Sequence, residues 1–410
     1  MGKKLLVAQS GGPTSAINAT LAGIIEAAIQ NPEVSDVLGA RYGIQGVLRE
    51  QFLDLSGIEH IEDMLATLAV TPAAALGSCR FKLKDPAQDP SEFEELIRIF
   101  QKHEIGYFVY IGGNDSMDTV WKLSDYIKEH HIPDIVVVGA PKTIDNDLYG
   151  IDHCPGFGSA AKYIATSISE LERELEVYDT PYVIVVEMMG RNAGWLTAAA
   201  ALAESANSNV PYLIYLEERP FDLNDFISDL RGELAVGKDV IVAISEGIRD
   251  RSGKMICDYA DRDQSTDAFG HTIATGAGKV LENAIRSNIG CKVRYIELNL
   301  LQRCAGHLLS ETDITESTEL GRNAVRLAVD GQNGVMSTLT RTSNHPYSVA
   351  YGAADIADIA DREKKVPDSW ITSEGNGVTE EMLEYLRPLV QGERSCKFEN
   401  GIPKYVVFDK

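Results

Sequence analysis

The stretch YFVYIGGNDSMDTVWKLSDYIKEHHIPDIVVVGAPKTIDND, residues 107–147, decides the fold. Tyr107–Ile111 is a short run of aromatic and β-branched residues, which predicts a buried strand. Gly112-Gly113-Asn114-Asp115-Ser116 turns the chain, and Met117–Glu129 carries helical periodicity. A second apolar run, Ile135–Val138, leads into Pro141-Lys142-Thr143-Ile144-Asp145-Asn146-Asp147. Apolar strands alternating with helices predict an α/β fold of parallel sheets with helices on both faces. In such sheets ligands sit beyond the carboxyl ends of the strands, where both polar turns fall.

The same rhythm extends outward. Lys4–Ala8 reads as a strand and Ile17–Ile29 as a helix; Tyr182–Glu187, Tyr212–Leu216 and Val240–Ile244 read as further strands. After about residue 338 the rhythm fades: Asp355–Pro367 and Thr379–Leu386 read as helices and Tyr405–Phe408 as a terminal strand. The 410 residues have room for two to three units of roughly 150 residues each. A hydrophobic fraction of 44% with 24% charged residues excludes global disorder. The net charge of −23 repels phosphate backbones and anionic lipid, so neither nucleic acid nor membrane is expected as a partner. An anionic substrate must then be held by a few local cations. No apolar run reaches the length of a transmembrane helix, and the run in MGKKLLVAQSGG is too short for a signal peptide. Leu6 stands where a myristoylation motif after Gly2 needs Ser or Thr. Cys79, Cys154, Cys257, Cys291, Cys304 and Cys396 form no CxxC, so reduced thiols and a cytoplasmic location are expected.

Several turns carry chemistry, each with a plainer reading beside it. Ser10-Gly11-Gly12-Pro13-Thr14-Ser15-Ala16 joins a strand to a helix; its glycines can admit an anion to backbone N–H groups, or simply make a tight connection. In Gly112–Ser116, Asp115 either caps the following helix, or holds Mg²⁺ or excludes a bulky group. Two carboxylates at i and i+2, Asp145 and Asp147, beside Lys142 and Thr143 offer a base, a metal ligand and a phosphate cation at a strand's end. Gly156–Ala161 fits GxGxxA but follows His153-Cys154-Pro155 rather than a strand, which argues against a dinucleotide fingerprint. Gly276-Ala277-Gly278-Lys279-Val280 lacks the hydroxyl residue of a Walker loop and has Ile273 where its leading glycine belongs. Met188-Met189-Gly190-Arg191-Asn192-Ala193-Gly194-Trp195 sets an arginine at a strand end, facing a ligand or a buried partner. Ser245-Glu246-Gly247 sets a carboxylate at another, and Arg294 and Arg303 flank a segment whose alternation suggests a strand through Asn299.

Together, SGGPTSAIN, GGNDS, PKTIDND, MGRNAGW, SEG and the Arg294–Arg303 segment resemble, in this order, the phosphofructokinase family and its pyrophosphate-dependent branch, over residues 5 to about 335. The resemblance implies two Rossmann-like lobes with mostly parallel sheets and an active site in the cleft between them. It implies a catalytic region over 1–338, with a donor-binding lobe over about 1–158 to which later segments return and a sugar-phosphate lobe over about 159–301. Residues 339–410 would form a helical elaboration with a terminal strand. The activity implied is Mg²⁺-dependent, reversible transfer of a phosphoryl group from pyrophosphate to the C1 hydroxyl of fructose 6-phosphate, in a homodimer or homotetramer.

By the same resemblance Asp145 is the base, Asp147 its companion near the metal, Thr143 a substrate-contacting hydroxyl, and Arg191 and Lys142 the cations at the transferring group. Met189, Gly190 and Glu246 line the sugar, and Arg294 and Arg303 grip its 6-phosphate, one of them often across a subunit interface. Gly12, Arg80, Gly113, Asp115 and Lys142 fall at donor positions, and Asn114, Asp115 and Asp147 at metal positions.

The pattern departs from ATP-using relatives in places. Those carry glycine at the positions of Asp115 and Lys142, and an aspartate at that of Asn114. Tyr182 and Leu300 replace a cationic and a polar residue at the sugar-phosphate end, which makes sedoheptulose 7-phosphate a plausible extra substrate. Ala22 and Glu26 stand where allosteric relatives carry effector-binding arginines, so weak regulation is expected. An ATP-dependent phosphofructokinase is the second enzyme reading. A silent regulatory subunit would be expected to lose TIDND or MGR, and a nicotinamide oxidoreductase would need GxGxxG after a strand.

Overall fold

The computed structural model describes residues 2–57, 61–204, 210–237, 239–259, 276–360 and 362–408. The first half of the chain runs β1 (Lys3–Gln9), α1 (Ile17–Gln30), β2 (Val34–Ala40), α2 (Gly43–Leu48), β3 (Phe52–Asp54), α3 (Ile61–Ala69), α4 (Ser91–Lys102), β4 (Ile105–Gly112), α5 (Asn114–Glu129), β5 (Val136–Pro141) and α6 (Phe157–Leu175). There follow β6 (Tyr182–Met188), α7 (Trp195–Ala198), β7 (Tyr212–Tyr215), α8 (Leu223–Val236), β8 (Asp239–Ser245), α9 (Ala277–Asn288) and β9 (Lys292–Glu297). The last part holds β10 (Leu309–Ser310), α10 (Glu311–Val329), β11 (Val335–Asn344), β12 (Tyr347–Asp355) and α11 (Glu380–Leu386).

Two sheets organise these elements. The larger has the order β12-β11-β5-β4-β1-β2-β3, in which β11 to β2 run parallel to one another and β12 and β3 are antiparallel at the edges. The smaller, β7-β8-β6-β9, is parallel throughout. Side chains alternate across the larger sheet as period-two geometry demands. Leu6, Ala8, Phe108 and Tyr110 enter one core layer, while Leu5, Val7, Tyr107 and Val109 enter the other. All eight residues of β4 are buried, which explains its unbroken apolar run. The smaller sheet divides likewise, with Ile184 and Val186 on one face and Val183 and Val185 on the other.

The end of the chain departs from the sequence reading. Residue 338 lies inside β11, which pairs with β5 and then folds back on β12, so this stretch opens with a sheet hairpin. Among the described residues of the helix expected over 355–367, helical geometry is confined to a 3₁₀ turn, Ile356–Asp358, and residues 364 and 366 contact the other lobe. Among the described residues Tyr405–Phe408 pairs with no strand; Tyr405, Val406 and Phe408 instead cover a core layer, and the Val406 N–H donates to the Thr71 hydroxyl at 3.1 Å. The strand expected through Asn299 stops at Glu297, because Asn299 takes φ +40° and opens a 3₁₀ turn, Asn299–Arg303.

Candidate active site

The carboxyl ends of β1, β4 and β5 face those of β6 and β8 across a cavity of about 660 Å³. From the larger sheet come Gly12, Gly113, Asn114 and Asp115, with Lys142, Thr143, Asp145 and Asp147 after β5. Met189, Arg191 and Glu246 come from the smaller sheet, and Arg80 and Arg303 from loops. The structure thus brings together all but two of the residues singled out in the sequence. Gly190 turns the backbone at φ +125°, with its carbonyl held by the Ser245 hydroxyl. Arg294 is exposed, outside the cavity, and hydrogen-bonds Tyr182.

Lys142 is buried, and its ammonium donates to the Gly12 carbonyl at 2.6 Å. Burial lowers its pKa to about 8, against the pull of Asp145. A Cβ on Gly12 would come within 2.6 Å of the Arg303 guanidinium, so a side chain there would push that guanidinium aside. Arg303 therefore lies against the turn after β1, on the same side as Arg80.

Asp145 is held by its own turn, its N–H donating to the Thr143 hydroxyl at 3.1 Å. Its Oδ1 is a buried atom without a hydrogen-bond partner, and so is Arg191 Nε. Such orphaned groups are uncommon, and facing a cavity they are ready for a ligand. Burial raises the Asp145 pKa while Lys142, Arg303 and Arg191 oppose the shift. Burial and the neighbouring Asp145 charge raise that of Asp147. Glu246 is pushed up to about 8, first by burial and then by Asp145. Asn114 donates to Asp147 Oδ2 at 2.9 Å, linking the two polar turns.

Asp115 does not cap α5. Gly113 occupies the N-cap without a side-chain cap bond, and the Asp115 carboxylate faces Lys82 at 3.7 Å. Two other glycine-rich helix starts are closed to phosphates by internal carboxylates. Asp313 accepts the N–H groups of Gly156 and Ser159, both at 2.9 Å, at the start of α6. Glu187 accepts those of Gly276 and Gly278, at 3.0 and 2.9 Å, at the start of α9. Ile273 lies outside the described residues. Neither a dinucleotide nor a Walker reading survives this occupancy.

Sequence reasoning missed Arg362 and Glu363, which line the cavity from the tail. Glu363 accepts the Asn192 amide at 2.9 Å, and Arg362 stacks on Tyr149 at 3.8 Å. The charged run 361–365 was the available signal, but within a supposed helix it reads as a solvated face.

A family profile described as Phosphofructokinase matches residues 4–328. The chain belongs to the phosphofructokinase family. Among known phosphofructokinases and their relatives, a pyrophosphate–fructose 6-phosphate 1-phosphotransferase of Xanthomonas campestris is 42% identical over 98% of this chain and 95% of its own. One of Halomonas elongata is 40% identical over 97% and 94%. The crystal structure of a pyrophosphate-dependent phosphofructokinase from Nitrosospira multiformis superposes with a TM-score of 0.88, at 37% identity, over 98% of this chain and 96% of that one. The two-lobed fold with mostly parallel sheets is thus that of the phosphofructokinases. Among the described residues no helix is long and apolar enough to cross a membrane.

Proposed function

We propose that this phosphofructokinase transfers a phosphoryl group reversibly from pyrophosphate to the C1 hydroxyl of fructose 6-phosphate. One observation carries the reading: a carboxylate with an unpartnered oxygen, Asp145, shares a cleft with Lys142, Arg191 and Arg303. Phosphoryl transfer asks the protein for in-line positioning, neutralisation of charge and a proton acceptor. Asp145 accepts the C1 proton as the bond to phosphorus forms. Lys142 and Arg191 face the transferring group, and Arg80 with the glycine turn after β1 receives the donor. Met189 and Glu246 hold the sugar. The contact between Arg303 and Gly12 supports a place for Arg303 at the transferring group rather than at a distant 6-phosphate.

The site's chemistry suits Mg²⁺. Asp145 and Asp147 are close, mutually repelling and short of solvent, a pair that a divalent cation relieves. Among the described residues no three His, Cys, Asp or Glu side chains gather as a ready metal cage. Asp147, assisted by Asn114 or Asp115, would therefore share Mg²⁺ with oxygens of the donor, as Mg²⁺ commonly requires. Bound there, Mg²⁺ supplies charge neutralisation on the transferring phosphoryl group.

Arg294, exposed and outside its own cleft, supports donation to a second copy in a homodimer or homotetramer. No disulfide joins any of the six cysteines, which supports a cytoplasmic enzyme. The test is an assay of fructose 6-phosphate with Mg²⁺ and either pyrophosphate or ATP, repeated with sedoheptulose 7-phosphate. Rapid turnover with pyrophosphate and little with ATP is expected; the reverse order sinks the donor assignment.

A further inference from the structure

Residues 362–366 of the tail lie between the two walls of the cleft. Toward the larger sheet, the Lys364 N–H donates to the Asp147 carbonyl at 2.7 Å. Its ammonium donates to Asn146 Oδ1 at 3.2 Å and to the carbonyls of Ile151 and Asp152 at 3.3 and 2.6 Å. Toward the smaller sheet, the Lys364 carbonyl accepts the Trp195 indole N–H at 3.0 Å, and the ammonium lies 5.3 Å from the centre of the Trp195 ring. The Val366 N–H donates to Glu218 at 3.0 Å, and the same carboxylate accepts the Gly194 N–H. Trp195 and Gly194 end the turn that carries Arg191.

Asn146, between the two carboxylates, is fully buried and adopts φ +56°, a conformation asparagine tolerates better than most residues. Its amide donates to the Tyr385 hydroxyl at 2.8 Å, and its Oδ1 accepts the Cys154 N–H at 2.9 Å. With Asn146 turned inward, Asp145 and Asp147 both face the cleft.

We propose that Lys364 is a positioning residue for phosphoryl transfer, setting the Asp145–Asp147 turn and the Arg191 turn relative to each other. The proposal rests on the reading of this cleft as a phosphotransferase site. Three acceptors match the three donors of the ammonium, which fixes it in place. Of its three acceptors, the Ile151 carbonyl loses a donor and the other two keep one when the ammonium is removed. Without it Asn146 Oδ1 keeps the Cys154 N–H and the Asp152 carbonyl keeps the Tyr385 hydroxyl, at 2.8 Å. Apolar replacements of buried charges are often tolerated when partners stay satisfied. What the lysine adds is geometry, and a misplacement of about 1 Å can cost about a hundredfold in rate.

Lys364→Met tests this, with Lys404→Met as a control at an exposed tail pair with Glu399, 2.9 Å away. The measurements are kcat, both KM values, Tm and amide exchange over 145–148 and 192–195. Expected for Lys364→Met is a kcat lower by about tenfold to a hundredfold, KM values within about threefold, and faster exchange in both turns. The control should leave kcat unchanged. A normal kcat, or a loss explained by the unfolded fraction or by raised KM, overturns the proposal. If Lys364→Met does not fold, Lys364→Gln, which keeps two donors, is read the same way. Should the unaltered chain transfer no phosphoryl group, the site reading fails separately, and exchange over 145–148 alone then decides whether Lys364 positions the turn.

Discussion

The ammonium of Lys142 lies 2.6 Å from the carbonyl oxygen of Gly12, tying the cation after β5 to the glycine turn after β1. That contact crosses the mouth of the larger sheet where two parallel strands end. One carbonyl does not satisfy three ammonium donors, so Lys142 has capacity left for an anion between the turns.

The pH dependence of donor use follows. Burial brings the Lys142 pKa down to about 8, so the ligand-free protein loses this charge as pH rises through that value. A cation with a lowered pKa favours anion binding only below it. Thus kcat/KM for pyrophosphate, corrected for donor speciation, should fall above about pH 8. In Lys142→Arg, whatever its absolute rate, the fall should move beyond about pH 10, since guanidinium stays charged. A wild-type profile flat to about pH 10 counts against Lys142 as the donor cation.

Asp145→Asn should lower kcat by at least about a hundredfold, the usual worth of a positioned proton acceptor. The same substitution removes a charge that burial disfavours, so Tm in the absence of ligand should hold or rise. Near-normal kcat in a folded variant removes Asp145 from the role of base.

How much of this was legible follows from how local each feature is. The strands at 105–112 and 136–141 and the turns after them are written in consecutive residues, so their positions and chemistry could be read directly. Arg303 could be picked out, but its contact with Gly12 depends on a turn that begins when Asn299 adopts φ +40°. Lys364 and Asn146 are separated by more than 200 residues, and only the tail's crossing of the cleft unites them. The β11–β12 hairpin was missed because its residues alternate with polar ones on an exposed edge, which weakens the apolar signal.

Saturation by fructose 6-phosphate should be hyperbolic. Ala22 is buried against neighbouring helices, and Glu26 accepts the Arg322 guanidinium at 3.0 and 2.6 Å from α10. Neither position offers a cation to an anionic effector. ADP or phosphoenolpyruvate at millimolar levels should shift half-saturation by less than about twofold, a coupling well under the common allosteric range. A Hill coefficient clearly above one, or a larger shift with either compound, would reveal an effector site elsewhere.

Donor choice should be reversible by two substitutions. Asp115 stands in the first turn of α5, but Gly113 is the N-cap and no side chain caps the helix. Capping therefore does not account for the carboxylate. It lines the cavity, about two-fifths exposed, with Lys82 3.7 Å away. On the donor reading proposed above, it occupies space and adds negative charge where a nucleotide's inner phosphate and ribose would extend. Lys142 would supply the opposite charge to a small, highly charged donor. Asp115→Gly with Lys142→Gly should therefore open space and remove both effects, lowering pyrophosphate use. The ATP-to-pyrophosphate ratio of kcat/KM should rise more than about tenfold, or about 1.4 kcal/mol of differential transition-state binding. Asp115→Gly alone should account for part of the rise in ATP use, and Lys142→Gly for most of the loss with pyrophosphate. A double variant that loses both donors equally would show that these residues support the site without selecting the donor.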